Sequence, residues 1–72
     1  MRKQRLSSTD IGFLIFDMLR DGGATPISVA VIPDETTGWR AVVARRVRMT
    51  PATKRQLAVI ERRLQATVEL RG

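Results

Sequence analysis

Ile27-Ser28-Val29-Ala30-Val31-Ile32, then Pro33-Asp34-Glu35-Thr36-Thr37-Gly38, then Trp39-Arg40-Ala41-Val42-Val43-Ala44 and on to Val47: this stretch decides the fold. β-Branched runs bounded by Pro, Asp and Gly spell strand, turn and strand, so residues 27–47 read as a β-hairpin. Alternation divides it into two faces. Ile27, Val29 and Val31 share one face with Trp39, Ala41 and Val43. Ser28, Ala30, Ile32, Arg40, Val42 and Ala44 share the other. The first face is large and apolar; the second is small and carries one arginine. A lone hairpin is marginally stable in water, and its two edges are open templates for pairing. It therefore needs a cover on its apolar face and a neighbour along its edges.

The cover comes from both sides in sequence. Upstream, Ser7-x-x-Asp10 forms a capping box with Asp in the place of Glu, and Leu6 and Ile11 flank it as a hydrophobic staple. A helix is expected over residues 8–21, stopped by Gly22-Gly23. Its apolar stripe is Ile11, Leu14, Ile15, Met18 and Leu19. Phe13 and Phe16 fall outside that stripe and ask for a second cover, either from a bent terminus of the same chain or from a subunit interface. Asp17 and Asp21, an i, i+4 like-charge pair near the helix end, are expected to answer arginines from another element or subunit. Downstream, Thr50-Pro51 places threonine at an N-cap and proline at the first helical position. A second helix over about 51–67 follows, with Leu57, Ile60, Leu64 and Val68 as its core stripe.

The expected fold is thus α+β in the order α-β-β-α, an antiparallel hairpin packed by two helices. Residues 1–6 read as a mobile basic arm and residues 7–72 as a single small α+β domain. A chain of 72 residues buries only about 60% of its unfolded surface, so the core is thin. The simplest answer to the open edges is a homodimer whose two hairpins join in a four-stranded sheet. Thr67-Val68-Glu69-Leu70 as a third strand of the hairpin is the alternative.

Composition narrows the chemistry. The chain has no cysteine, histidine or tyrosine, which removes disulfides, thiolate ligands and the commonest general base. No nucleophile–base–orienter set is visible, Gly22-Gly23 lacks a phosphate-loop pattern, and the turn acids Asp34 and Glu35 match no calcium loop. The expectation is no enzyme, no catalytic residue, no cofactor and no metal. Arg2-Lys3-Gln4-Arg5 before an apolar run has the outline of a leader peptide, but Asp10 and Asp17 interrupt that run. It is read as a helix of the mature protein, with no membrane span and a cytoplasmic location.

The net charge is +6, which bears on partners rather than on fold. Cations gather at Arg45, Arg46 and Arg48 of the strand exit and at Lys54, Arg55, Arg62 and Arg63 of the second helix, with Thr50 at that helix's start. A helix N-terminus offers free N–H groups, and arginine grips phosphate bidentately. These eight residues are the candidate nucleic-acid backbone contacts of a basic homodimer. The competing expectation is a protein-interaction module that uses an exposed strand edge with Phe13 and Phe16, its partner a second copy or an acidic protein. Trp39, next to Gly38 at a strand start, is expected as a core anchor rather than a base-stacking platform.

Overall fold

The computed structural model describes residues 3–24, 27–44 and 46–71. Six elements follow one another: β1 (Gln4–Leu6), α1 (Ser8–Asp21), β2 (Val29–Asp34), β3 (Gly38–Val43), α2 (Pro51–Thr67) and β4 (Val68–Leu70). The two helices are those the sequence predicts; the central hairpin is present but shorter than the expected 27–47, its strands being Val29–Asp34 and Gly38–Val43, with Ala44 and Val47 already joined in a turn bond. The order differs from α-β-β-α because a strand stands at each end. The segment read as an arm contributes Gln4–Leu6 to a strand, and Leu6 of it packs against the core.

Local chemistry explains each boundary. Ser7 caps α1 by accepting a hydrogen bond from the Asp10 N–H at 3.1 Å. At the other end Ala24 N–H reaches the Leu19 carbonyl and Gly23 N–H reaches that of Arg20, the paired bonds of a Schellman stop. Thr50 caps α2 through the Thr53 N–H, with Pro51 at the first turn. In the hairpin turn Asp34 Oδ1 accepts from Thr36 N–H and Thr37 N–H at 2.7 and 3.3 Å, an Asx arrangement. Gly38 closes the turn at φ +89°, a conformation a side chain resists.

β2 and β3 pair antiparallel, with Val31 opposite Ala41, Ile32 opposite Arg40 and Pro33 opposite Trp39. This register gives the two faces read from the alternation. The apolar face lies under both helices. Ile11, Ile15 and Leu19 of α1, Leu57, Ile60 and Leu64 of α2, and Val31, Trp39 and Val68 form the buried core. Trp39 is fully buried, and its indole Nε1–H donates to the Val68 carbonyl at 3.0 Å. That bond fixes β4 beneath the hairpin.

β4 does not extend the hairpin as a third strand. It pairs in parallel with β1, Gln4 opposite Val68 and Leu6 opposite Leu70. On the β3 side the place of a third strand is taken by Glu61 and Gln65 of α2. The sheet content is therefore one antiparallel hairpin and one short parallel ribbon.

Candidate functional site: an open strand edge beside a phenylalanine groove

The two margins of the hairpin are treated unequally. On β3, Ala41 N–H donates to Glu61 Oε2 at 2.8 Å, and the Trp39 carbonyl accepts from Gln65 Nε2 at 2.7 Å. Glu61 and Gln65 stand one turn apart on the same flank of α2, so they face one strand edge together. The Thr37 hydroxyl adds a further donor to the Trp39 carbonyl at 2.8 Å. Two outward main-chain groups of the β3 edge, Ala41 N–H and the Trp39 carbonyl, are thus met by side chains of α2.

The same bonds reveal the β2 edge. In an antiparallel ladder, opposite residues both turn their main-chain groups inward or both turn them outward. Ala41 and Trp39 point outward to α2, so Val31 and Pro33, paired with them, point outward on the other side. Val29, two residues before Val31, does the same. Among the described residues no hydrogen bond from elsewhere in the chain reaches the N–H of Val29 or Val31. Pro33 has no N–H to offer, as befits a proline on an edge strand.

Beside this edge runs α1. A Cβ at Gly12 would stand 3.3 Å from the Val29 carbonyl oxygen, so the missing side chain lets helix and strand approach closely. Ser8, Thr9, Gly12, Phe13, Phe16 and Asp17 of α1, with Ser28 and Val29, line an open groove of about 520 Å³. Phe13 is 64% exposed there, and Phe16 is half-buried. No loop or terminus of the described chain covers Phe13. The helix flank is nearly neutral, because Asp17 pairs with Arg20 of the same helix at 3.2 Å and Asp21 lies 4.0 Å from that guanidinium. The acids expected to answer another element thus find their counter-charge on their own helix.

The basic residues are distributed differently. Arg45 lies outside the described residues. Arg46, Arg48, Lys54, Arg55, Arg62 and Arg63 are exposed, and none forms an ion pair among the described residues. The Thr50 hydroxyl is engaged within the cap, accepting from Thr53 N–H and bonded to Thr53 Oγ1 at 3.0 Å. Around α2, with Leu57, Ile60 and Leu64 turned to the core, helical spacing puts Arg55 and Arg62 on the outer face with Val59. Lys54 falls on the flank of Glu61 and Gln65, toward β3. Arg63 falls on the opposite flank, that of Gln56, whose amide donates to the Gly22 carbonyl at 3.1 Å. The helix cations are spread across the solvent half of α2, from the β3 flank over the outer face to the Gln56 flank.

The structure also names residues that the sequence reading passes over. Gln65 and Glu61 meet the β3 edge, and Gly12, Ser8 and Thr9 shape the groove. The signal for the first pair was an i, i+4 acid–amide set on a helix flank. Among the described residues no group of three His, Cys, Asp or Glu comes together to hold a metal, and no helix is long and apolar enough to cross a membrane. No protein-family model, curated protein or solved structure matches this chain.

Proposed function

We propose that this chain is a non-enzymatic interaction module whose β2 edge receives an extended strand, with Phe13 and Phe16 as the apolar anchors beside it. The observation that supports the reading is the asymmetry of the hairpin: side chains of α2 meet Ala41 N–H and the Trp39 carbonyl on the β3 edge, while among the described residues none meets the outward N–H groups of Val29 and Val31, which lie next to an apolar groove. Strand addition uses this pairing of features, main-chain bonds for affinity and side-chain pockets for selectivity. The test is refolding from denaturant with a hundredfold excess of a labelled synthetic peptide of sequence 27–33. The peptide is expected to stay on the protein through size exclusion. Phe13→Ser should weaken its retention about tenfold, the scale set by exposing a buried aromatic side chain. An unretained peptide contradicts the reading.

A second reading, contact with a nucleic-acid backbone, is supported by Arg46, Arg48 and the cations of α2, which form no ion pair among the described residues. The spread of the helix cations across the solvent half of α2 ranks it behind the first. It predicts an affinity for duplex DNA or RNA that falls with salt at about one counterion per phosphate contact. Replacing Arg55 and Arg62 together by alanine should flatten that slope by about two contacts with unfolding unchanged. The absence of any mobility shift at low salt ends this reading.

A further inference from the structure

We propose that the strand received by the β2 edge is β2 of a second copy of this chain, antiparallel, with Val31 opposite the partner's Val31. This rests on the reading of that edge as an interaction surface and names its occupant.

The donor and acceptor pattern is the first argument. A two-fold axis through Val31 sets Val31 against itself, so the two residues exchange both main-chain bonds. It sets Val29 against the partner's Pro33. Val29 N–H then meets the proline carbonyl. The return bond is the one proline cannot donate, and the acceptor it leaves over is the Val29 carbonyl, which is already shielded by the close approach of Gly12. The two gaps in the ladder, one for each copy's proline, fall where a copy's own helix stands. No other register on this edge pairs the absent donor with the shielded acceptor.

The second argument is the helix flank. The axis is perpendicular to the sheet, so the helices of both copies lie on the same face. The flank of α1 carrying Thr9, Phe13 and Phe16 then turns toward its counterpart. Phe13, 64% exposed in one copy, gains an apolar neighbour. The result is a four-stranded antiparallel sheet with the β3 edges, each flanked by α2, outermost and four helices on one side.

Charge is the third. A chain of net charge +6 repels its own kind wherever its cations face each other. The pairing flank avoids this, since its Asp17 and Arg20 offset one another. The unpaired cations of α2 lie away from the axis. An acidic foreign partner would be drawn to those cations rather than to this near-neutral edge, which favours self-recognition here.

The register gives a direct test. Ala30 and Ile32 face away from the helices, and in this arrangement each lies opposite the other's position in the partner. They form non-hydrogen-bonded pairs, the closest kind. The chain has no cysteine, so introduced thiols have no native competitor. Wild type is expected to sediment at twice 8.1 kDa. Ala30→Cys refolded together with Ile32→Cys should yield about tenfold more disulfide heterodimer than Ala30→Cys with Ala44→Cys, because only Cβ atoms within disulfide reach link efficiently. Phe13→Ser should raise the dimer dissociation constant about tenfold with the circular dichroism spectrum unchanged. A single-copy mass across micromolar concentrations overturns the assignment; if the 27–33 peptide is still retained, strand addition survives with a different chain as occupant. A dimer whose Ala30/Ile32 pair links no better than the control overturns the register and the edge.

Discussion

Trp39→Ala is expected to leave little folded protein at 25 °C. Trp39 has no exposed surface and is the largest side chain in the core. Truncating a buried tryptophan costs about 3–5 kcal/mol through lost transfer energy and the cavity left behind. A chain of 72 residues has a total stability of about 4–10 kcal/mol. The loss is compounded by the Val68 carbonyl, which loses its donor and with it the tie between β4 and the hairpin. Trp39→Phe separates the two contributions. It keeps most of the apolar volume, removes the indole N–H, and should cost about 1–3 kcal/mol, the range for a buried acceptor left unpaired. Urea unfolding followed by far-ultraviolet circular dichroism checks both. An alanine variant with the wild-type midpoint would show that Trp39 does not hold the core together.

The second large effect is expected from Glu61→Ala combined with Gln65→Ala. The direct loss is modest, about 1–3 kcal/mol, because Ala41 N–H and the Trp39 carbonyl are part-buried and water replaces some of what α2 supplied. The change in assembly is larger. With both margins open, a hairpin can pair on two sides at once, and copies joined alternately at their β2 and β3 edges form a sheet that does not close. The double variant should pass from a defined species into polydisperse particles that enlarge with concentration and bind thioflavin. Glu61→Gln with Gln65 intact keeps an acceptor in place and should behave as wild type. Light scattering across a concentration series reads the difference. A double variant as monodisperse as wild type means that α2 is not what guards that edge.

These two variants touch residues of unequal legibility. Trp39 was readable because glycine before it and alternation after it put its side chain on the face that must be buried. The helix stripes were readable too, since Ile11, Ile15 and Leu19 recur at helical spacing, as do Leu57, Ile60 and Leu64. The caps at Ser7 and Thr50 and the two faces of the hairpin follow from local chemistry. The β1–β4 ribbon was not legible. Each of its strands has three residues, too short for periodicity, and their pairing is a long-range event that no local pattern announces. The contact of α2 with the β3 edge was hidden for a related reason. Glu61 and Gln65 look like ordinary solvated helix residues until the helix is known to lie along β3. Phe13 and Phe16 were flagged as misfits, and their neighbourhood is the groove. The seven basic candidates and Thr50 crowd the second half of the chain, and whether they share one face is not readable from sequence; helical spacing spreads those of α2 from one flank to the other, and Arg45 lies outside the described residues.

The parallel ribbon sets an order of assembly. Arg5 and Glu69, which face each other across it, are 64 residues apart in sequence. Closing a loop of that length has an entropic cost that grows with the logarithm of its span, and three-residue strands return little for it. The ribbon is therefore the last piece to form and the first to let go. Its two halves part unequally. Val68 is held by the indole as well as by the ribbon, so Gln4–Leu6 is the half expected to part first.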